Sequence, residues 1–215
     1  ARIRRALSLA IDRKRIVELV LLGGQEPTTR LVPPSLLAPG ASAQAAPEPD
    51  PVEARRLLAD AGFAGGKNFP QLELSAWSRS QTPILEAIQL MWRRELGIGV
   101  ALTVRDAKVH VAALTSGDYD IGLITAIPDV ADAADLLNRF ADGAPENYPH
   151  WTDPAYDRAL AAGDFDAAEQ RLLGSAAIAP LYFNAHHWLI SPRVQGWQED
   201  ALWTRSYVGV SLQRE

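Results

Sequence analysis

Asp129, Asp132 and Asp135 recur at three-residue spacing. On a helix that spacing sets three carboxylates along one face, and the ordinary use of such a face is a capped, solvated helix start with acids near the positive end of the dipole. Asp129 stands apart from the other two. It follows an apolar run directly and sits beside Pro128, where a strand-end carboxylate can point into a cleft. Four histidines are present, His110, His150, His186 and His187. The last two are adjacent, so on a strand they face opposite sides, one buried and one exposed, and do not share a metal. The stretch from Gly62 to Asn68 looks superficially like a phosphate loop, but its spacing is wrong, Asn68 stands where a hydroxyl must hold magnesium, and a strand follows it instead of a helix. The Gly-x-Ser-x-Gly turn of hydrolases does not occur. With no cysteine in the chain, disulfides, thiolate metal sites and cysteine nucleophiles are excluded. No acid/base pair or nucleophile site is visible, so no enzyme, no metal and no cofactor is expected.

The six tryptophans are Trp77, Trp92, Trp151, Trp188, Trp197 and Trp203. Aromatics suit sugar or peptide clefts as well as cores. Core or lobe-contact packing is expected of all but Trp77, which ends a strand and fits either use. The 215 residues carry a net charge of −5, with 47% hydrophobic and 22% charged residues. That is the balance of a globular protein of one large α/β domain or two small ones. It argues against a nucleic-acid surface, which would want a basic stripe. Arg2, Arg4, Arg5, Arg13, Lys14 and Arg15 make the amino end basic and read as solvated helix faces. No apolar run reaches membrane-spanning length. The chain opens directly in a helical pattern, without an initiator Met or a leader, and is expected to be a fragment of a longer protein.

Periodicity sets out the elements. Residues 2–12 show a helical stripe, and Asp12 caps a second helix that Gly23-Gly24 stops. Residues 25–50, with Pro27, Pro33, Pro34, Pro39, Pro47 and Pro49, read as a surface connection. Asp50-Pro51-Val52-Glu53 is a helix start in which Asp50 caps and Glu53 reaches back to the cap. A strand over 71–77, a long helix from Pro83 to Leu96, a strand over 98–104 and a short helix over 107–115 follow. Tyr119 to Ile127 is mainly apolar and predicts a buried central strand. Short helices are expected near 131–141, 153–162 and 164–176, the second opened by Asp153-Pro154. Ile178–Phe183 and Trp188–Ile190 read as strands, and the weakly alternating tail ends in one over Tyr207–Leu212. Strand and helix alternate, so the fold class is α/β, a mixed or largely parallel sheet flanked by helices.

The order of these segments resembles the family-5 extracellular solute-binding proteins, which serve oligopeptide, dipeptide and nickel importers. The resemblance rests on Arg4-Arg5-Ala6-Leu7-Ser8-Leu9-Ala10-Ile11-Asp12-Arg13, on Gly24-Gln25-Glu26-Pro27 with Val32-Pro33-Pro34, and on Asp50 through Leu58 with Ala61-Gly62-Phe63. It continues through Ile88-Gln89, Met91-Trp92, Leu96-Gly97-Ile98 and Gly117-Asp118-Tyr119-Asp120-Ile121. It ends with Trp151 to Asp157, Ala179 to Phe183 and Pro192 to Trp197. The motifs run in register over the whole chain.

The resemblance implies one lobe, of the periplasmic-binding-protein type II, from a protein whose two lobes close on a ligand. Residues 1–190 would be the carboxy-terminal ligand-binding lobe, and 191–215 a return segment that packs on the amino-terminal lobe. It further implies solute capture for an ABC importer, with a peptide as the favoured solute, the membrane permease as partner, and a periplasmic or extracellular location. In peptide-binding members an extended peptide adds as a strand between the lobes. The matching strand is Thr125-Ala126-Ile127, and Asp129 stands where an aspartate receives the peptide's amino terminus. Trp77, Ser78 and Arg79 match another cleft-lining segment, and Asn184 stands near a position often held by Tyr. Two departures point to a more apolar or differently shaped cleft: Ala126 replaces a common Trp, and Leu123 an Arg. The alternatives are the solute-sensing domain of a transcription regulator, which His186-His187-Trp188-Leu189 faintly resembles, an enzyme of unknown type, and a structural module using the tail.

Overall fold

A computed structural model describes residues 1–37, 49–200, 202 and 204–213. Helix α1 (Arg2–Leu9) leads to Asp12, whose carboxylate accepts from the Arg15 amide at 2.9 Å and starts α2 (Arg13–Arg15). This helix runs on as a π-helix over Ile16–Leu21 and stops at Leu22 in the left-handed conformation, one residue before the glycine pair. Arg13 is 6% exposed. Its guanidinium donates to the carbonyls of Pro180 at 2.7 Å, Ser8 at 3.1 Å and Ile11 at 3.3 Å. Burial lowers its pKa to about 10, so it stays charged at neutral pH, and the carbonyl dipoles are what solvate it.

Strand β1 (Glu26–Pro27) opens a stretch that the sequence assigns to the surface. The structure corrects that for residues 28–36. Thr28, Val32 and Leu36 are buried, because Leu181 O accepts from the Thr28 amide at 3.1 Å and a carboxylate on a later helix takes the amides of Leu31 and Val32. With those donors satisfied, the segment can enter the interior. Pro39 and Pro47 lie outside the described residues. Helix α3 (Pro51–Asp60) begins as expected, with Asp50 accepting from the Glu53 amide at 2.9 Å and Pro51 in the first turn. The return bond from Glu53 is not made. The Asp50 amide donates instead to Leu9 O at 3.0 Å, tying α3 to the end of α1, and Glu53 pairs with Arg56 at 2.7 Å.

The sheet comes next. Strand β2 (Leu72–Ala76), helix α4 (Thr82–Leu96), strand β3 (Val100–Val104), helix α5 (Ala107–Ser116) and strand β4 (Ile121–Gly122) form two consecutive β-α-β units. The strand order is β3-β2-β4 and both pairings are parallel, with Leu74 opposite Leu102 and Ile121. The central strand is therefore β2. The predicted buried central strand over 119–127 shrinks to Ile121–Gly122 on the edge, followed by one bond from Leu123 N to Ser75 O at 2.7 Å. On the other side of β2, facing β3, Ala76 O is taken by Arg105 N at 2.9 Å, and β2 ends there. Residues 124–127 meet no strand and are exposed.

Helices α6 (Ala133–Asn138), α7 (Pro154–Ala161) and α8 (Phe165–Gly174) follow, and Asp132, Asp153 and Asp164 cap them. Strand β5 (Tyr182–Phe183) pairs antiparallel with β1. The expected strand over Ile178–Phe183 survives only in these last two residues. The one over Trp188–Ile190 does not form, and Leu189 is fully exposed. His186 and His187 are both exposed, not one in and one out, since no strand imposes alternation; His187 Nε2 meets Gly23 O. Beyond them lie β6 (Val194–Gln195), β7 (Gln198–Glu199), β8 (Arg205–Ser206) and β9 (Ser211–Leu212), paired β6–β9 and β7–β8. The strand expected over Tyr207–Leu212 keeps its last two residues, because Val210 N turns back to Tyr207 O at 3.2 Å. Trp203 lies outside the described residues.

Two apolar cores result. In the first, α4 presents Ile84, Leu85, Ile88, Trp92 and Leu96 at helical spacing to α1, α3 and the sheet. In the second, Leu136, Leu137, Tyr156 and Leu172 of the three later helices close on Val32 and Leu36. The Tyr156 hydroxyl donates to Leu137 O at 2.6 Å, and burial pushes its pKa well above the usual phenol range.

The end of α4 carries a strict demand. Gly97 has φ +71°, and a Cβ there would lie 2.5 Å from Gly65 O, while one on Gly66 would lie 2.3 Å from Gly97 O. The two turns touch backbone to backbone. Gly97→Ala is expected to cost about 1–3 kcal/mol. A urea titration should show this as a lower midpoint with an unchanged slope.

Candidate functional site

A groove of about 1250 Å³ runs between the two cores. Leu7, Ile11, Leu74 and Trp92 of the first core line one side, and Leu31, Leu36, Leu136 and Phe140 the other. The segment from Ile121 to Pro128 and the segment from Ala176 to Ala185 complete it. Its apolar walls with scattered polar groups have the make-up of a ligand site.

Thr125, Ala126, Ile127 and Asn184 lie on this groove. Thr125 to Ile127 form the exposed run beyond β4, and Asn184 follows β5, its Oδ1 accepting from the Ala185 amide at 3.1 Å. Trp77, Ser78, Arg79 and Asp129 are not among the lining residues. Trp77 is half-buried just past the end of β2. Ser78 caps the short turn Arg79–Gln81 by accepting from the Ser80 amide at 3.3 Å, and Arg79 is exposed within it.

The three aspartates do not share one helical face. Asp132 is the cap of α6, accepting from Ala134 N at 2.8 Å, and Asp135 lies in its first turn. Asp129 precedes the helix, donates its amide to Asp135 Oδ2 at 2.9 Å, and leaves its side chain 91% exposed. What organises this corner is Arg139. Its guanidinium donates to Ile127 O at 2.6 Å and lies 3.6 Å from Asp129, 3.2 Å from Asp135 and 3.0 Å from Glu146. One cation thus faces three carboxylates, which leaves the corner negative. Sequence reading missed Arg139, although Asp135 and Arg139 stand at the i, i+4 spacing of a helical ion pair.

His110 was also passed over. It is fully buried on α5, and its Nε2 lies 3.0 Å from Leu123 O. A carbonyl only accepts, so Nε2 carries the proton and donates. Nδ1 is buried without a partner among the described residues. Burial holds the imidazole pKa below its ordinary value of 6.5, opposed by the Leu123 bond and reinforced by the Arg105 charge.

Glu169 is the third residue that sequence reading missed. It is buried on α8 and accepts from Arg30 Nε at 2.9 Å and from the amides of Leu31 and Val32 at 2.8 and 2.9 Å. This fixes the wall that carries Arg30 and Leu31. Farther along the chain, Arg205 stacks 3.6 Å above the Trp188 ring, Trp197 lies 6.2 Å from Trp188, and Tyr207 lies 6.2 Å from Trp197. Among the described residues no group of three His, Cys, Asp or Glu side chains could hold a metal, and no helix is long and apolar enough to cross a membrane.

Comparison with known proteins bears on this groove. The family described as "Bacterial extracellular solute-binding proteins, family 5 Middle" matches residues 1–148. The periplasmic murein peptide-binding protein MppA of Escherichia coli is 28% identical over 95% of this chain and 42% of its own length. The periplasmic oligopeptide-binding protein OppA of Salmonella typhimurium is 29% identical over 91% and 39%. Among solved structures, Listeria monocytogenes OppA bound to peptide superposes with a TM-score of 0.84 at 25% identity, over 100% of this chain and 45% of that one. The chain thus spans about two fifths of the length of the curated relatives it matches, and its α/β fold is that of one part of such binding proteins.

Proposed function

The chain belongs to family 5 of the bacterial extracellular solute-binding proteins, and from that premise we propose that its groove is one wall of a two-lobed site that captures peptides for an ABC importer. The observation that carries this reading is an open backbone edge. Among the described residues, Ile124, Thr125 and Ala126 make no backbone hydrogen bond, and this stretch lines the groove. Unpaired N–H and C=O groups in a row are a template for an added strand. An extended peptide pairs with them whatever its side chains, and Ile127 and Asn184 complete the contact.

Asp129 receives the peptide's ammonium group. The negative corner around Arg139 supports this, since an added cation there meets more carboxylate than guanidinium charge. Trp77, Ser78 and Arg79 meet the ligand when the lobes close. Residues 1–190 form the ligand-binding lobe, and 191–215 return to the amino-terminal lobe; the exposure of Tyr207, Val208 and Leu212 supports a packing partner for that segment. The work is capture, not turnover, and it is done on the outer side of the cytoplasmic membrane, with a permease as partner. The names of the relatives favour this over a regulator's sensing domain.

The test uses the complete gene product, because closure supplies much of the ligand's burial. A pool of short peptides should raise its melting temperature, since a ligand bound only by the folded state stabilises it. Asp129→Ala should weaken binding of a free tripeptide about tenfold, the worth of one charge-assisted contact. Calorimetry with the amino-acetylated tripeptide is the control. Equal affinity of the wild type for the free and acetylated forms would remove Asp129 from the role, and no response to any peptide would remove the peptide reading.

A further inference from the structure

The open edge at residues 124–126 ends on both sides at a carbonyl already held by a side chain. On one side His110 Nε2 holds Leu123 O at 3.0 Å. On the other Arg139 holds Ile127 O at 2.6 Å. We propose that His110 and Arg139 are positioning residues which bracket the ligand-pairing edge, fixing its register and limiting it to the three residues between them. The proposal rests on the peptide-binding reading of the groove.

The physical case begins with what is missing. Past Leu123 the chain has left the sheet, because β2 itself ends at Ala76. A three-residue run with no backbone partner has nothing of its own to keep it extended, and an unheld segment would have to be ordered at the moment of binding. The two clamps do that in advance, which is how pre-organisation raises affinity. Each clamp also takes up one lone pair of its carbonyl, so the groups left wholly free are those of Ile124, Thr125 and Ala126 with the Ile127 amide. A ligand chain pairs most fully in the register that uses these groups, and longer peptides gain little further backbone pairing from this wall.

The two clamps differ in kind. Arg139 keeps its charge at any physiological pH. His110 donates through Nε2 whether or not Nδ1 is protonated, but a second proton would place an unpaired, charged N–H in the interior. The charged and titratable groups about it are Arg105, which is paired with Glu73, then Asp106 and Lys108 at the start of α5, and Tyr119, whose ring and that of His110 both face the side of Gly122 where a Cβ would stand. None of these offers Nδ1 a partner. The folded ring titrates below 6.5. The stability it contributes is therefore complete above that pH and is lost as the pH falls from there through the depressed folded value. The Nε2–H bond itself survives protonation; what falls over that window is the stability of the buried site that holds the ring.

The experiment measures tri-alanine and penta-alanine affinity by calorimetry on the complete gene product at pH 7.5 and pH 5, with a melting curve for each variant. His110→Leu and Arg139→Met should each weaken tri-alanine about tenfold at pH 7.5, the equivalent of one ordering hydrogen bond. His110→Gln keeps an N–H donor and cannot titrate. It should bind within about threefold of the wild type at pH 7.5, and between pH 7.5 and pH 5 its melting temperature should fall less than that of the wild type. Penta-alanine should gain less than about threefold over tri-alanine in the wild type. Wild-type affinity in both the leucine and methionine variants would overturn the bracket and leave the peptide reading standing. A wild type that binds neither peptide would overturn both.

Discussion

Glu169→Leu is expected to lower the unfolding free energy by about 3–5 kcal/mol, the range for removing one partner of a buried charged pair. The carboxylate is 3% exposed and is the shared acceptor for Arg30 and for the Leu31 and Val32 amides. Leucine fills the volume but accepts nothing, so two backbone amides and a guanidinium that is itself mostly buried lose their acceptor together. Denaturant titration should show the loss as a lower midpoint. Arg30 and Leu31 stand on the groove wall, so peptide affinity should fall as well. Glu169→Gln separates the two effects. It keeps one carbonyl acceptor but not the charge, and should fall between leucine and wild type. A leucine variant as stable as the wild type would show that the wall is held by packing of Val32 and Leu36 alone.

Trp92→Ala should cost about as much, roughly 3–5 kcal/mol, by a different route. The side chain is 3% exposed at the meeting of α4 with α1, and its Nε1 donates to Leu7 O at 2.8 Å. Truncation opens a cavity in the first core and leaves a buried carbonyl without its donor. Trp92→Phe keeps most of the apolar area and loses the bond, so it should cost only about 1–2 kcal/mol. If phenylalanine costs as much as alanine, the hydrogen bond and not the packed volume carries the site.

What was legible in the sequence was local. The caps at Asp12, Asp50 and Asp153 and the stripe of α4 follow from residue type and spacing, and each stands where it was read. The parallel direction of β2, β3 and β4 follows from alternating strands and helices; their order does not. The errors share one cause. An apolar or alternating run says that a segment can pair, not that a partner exists. Tyr119 to Ile127 reads as a central strand, yet its partner strand turns away at Ala76, and Trp188 to Ile190 meets no strand at all. At the groove, Thr125, Ala126, Ile127 and Asn184 were named from a resemblance. His110 and Glu169 act through contacts 13 to 139 residues away in sequence, and no window of the chain displays them; for Arg139 a window shows the pairing with Asp135 but not the bond to Ile127 O, 12 residues away.

Arg13 has a consequence for how the chain comes into being. Its strongest bond is to Pro180, 167 residues onward, and Arg4 is tied to Ala176, 172 residues onward. During synthesis at about 5–20 residues per second, the amino-end helix emerges about 8–30 seconds before the Pro180 carbonyl that completes the solvation of its buried cation. For that interval Arg13 must keep its water, and the face of α1 and α2 that later closes over it stays open. The amino end of this chain is made first and completed last.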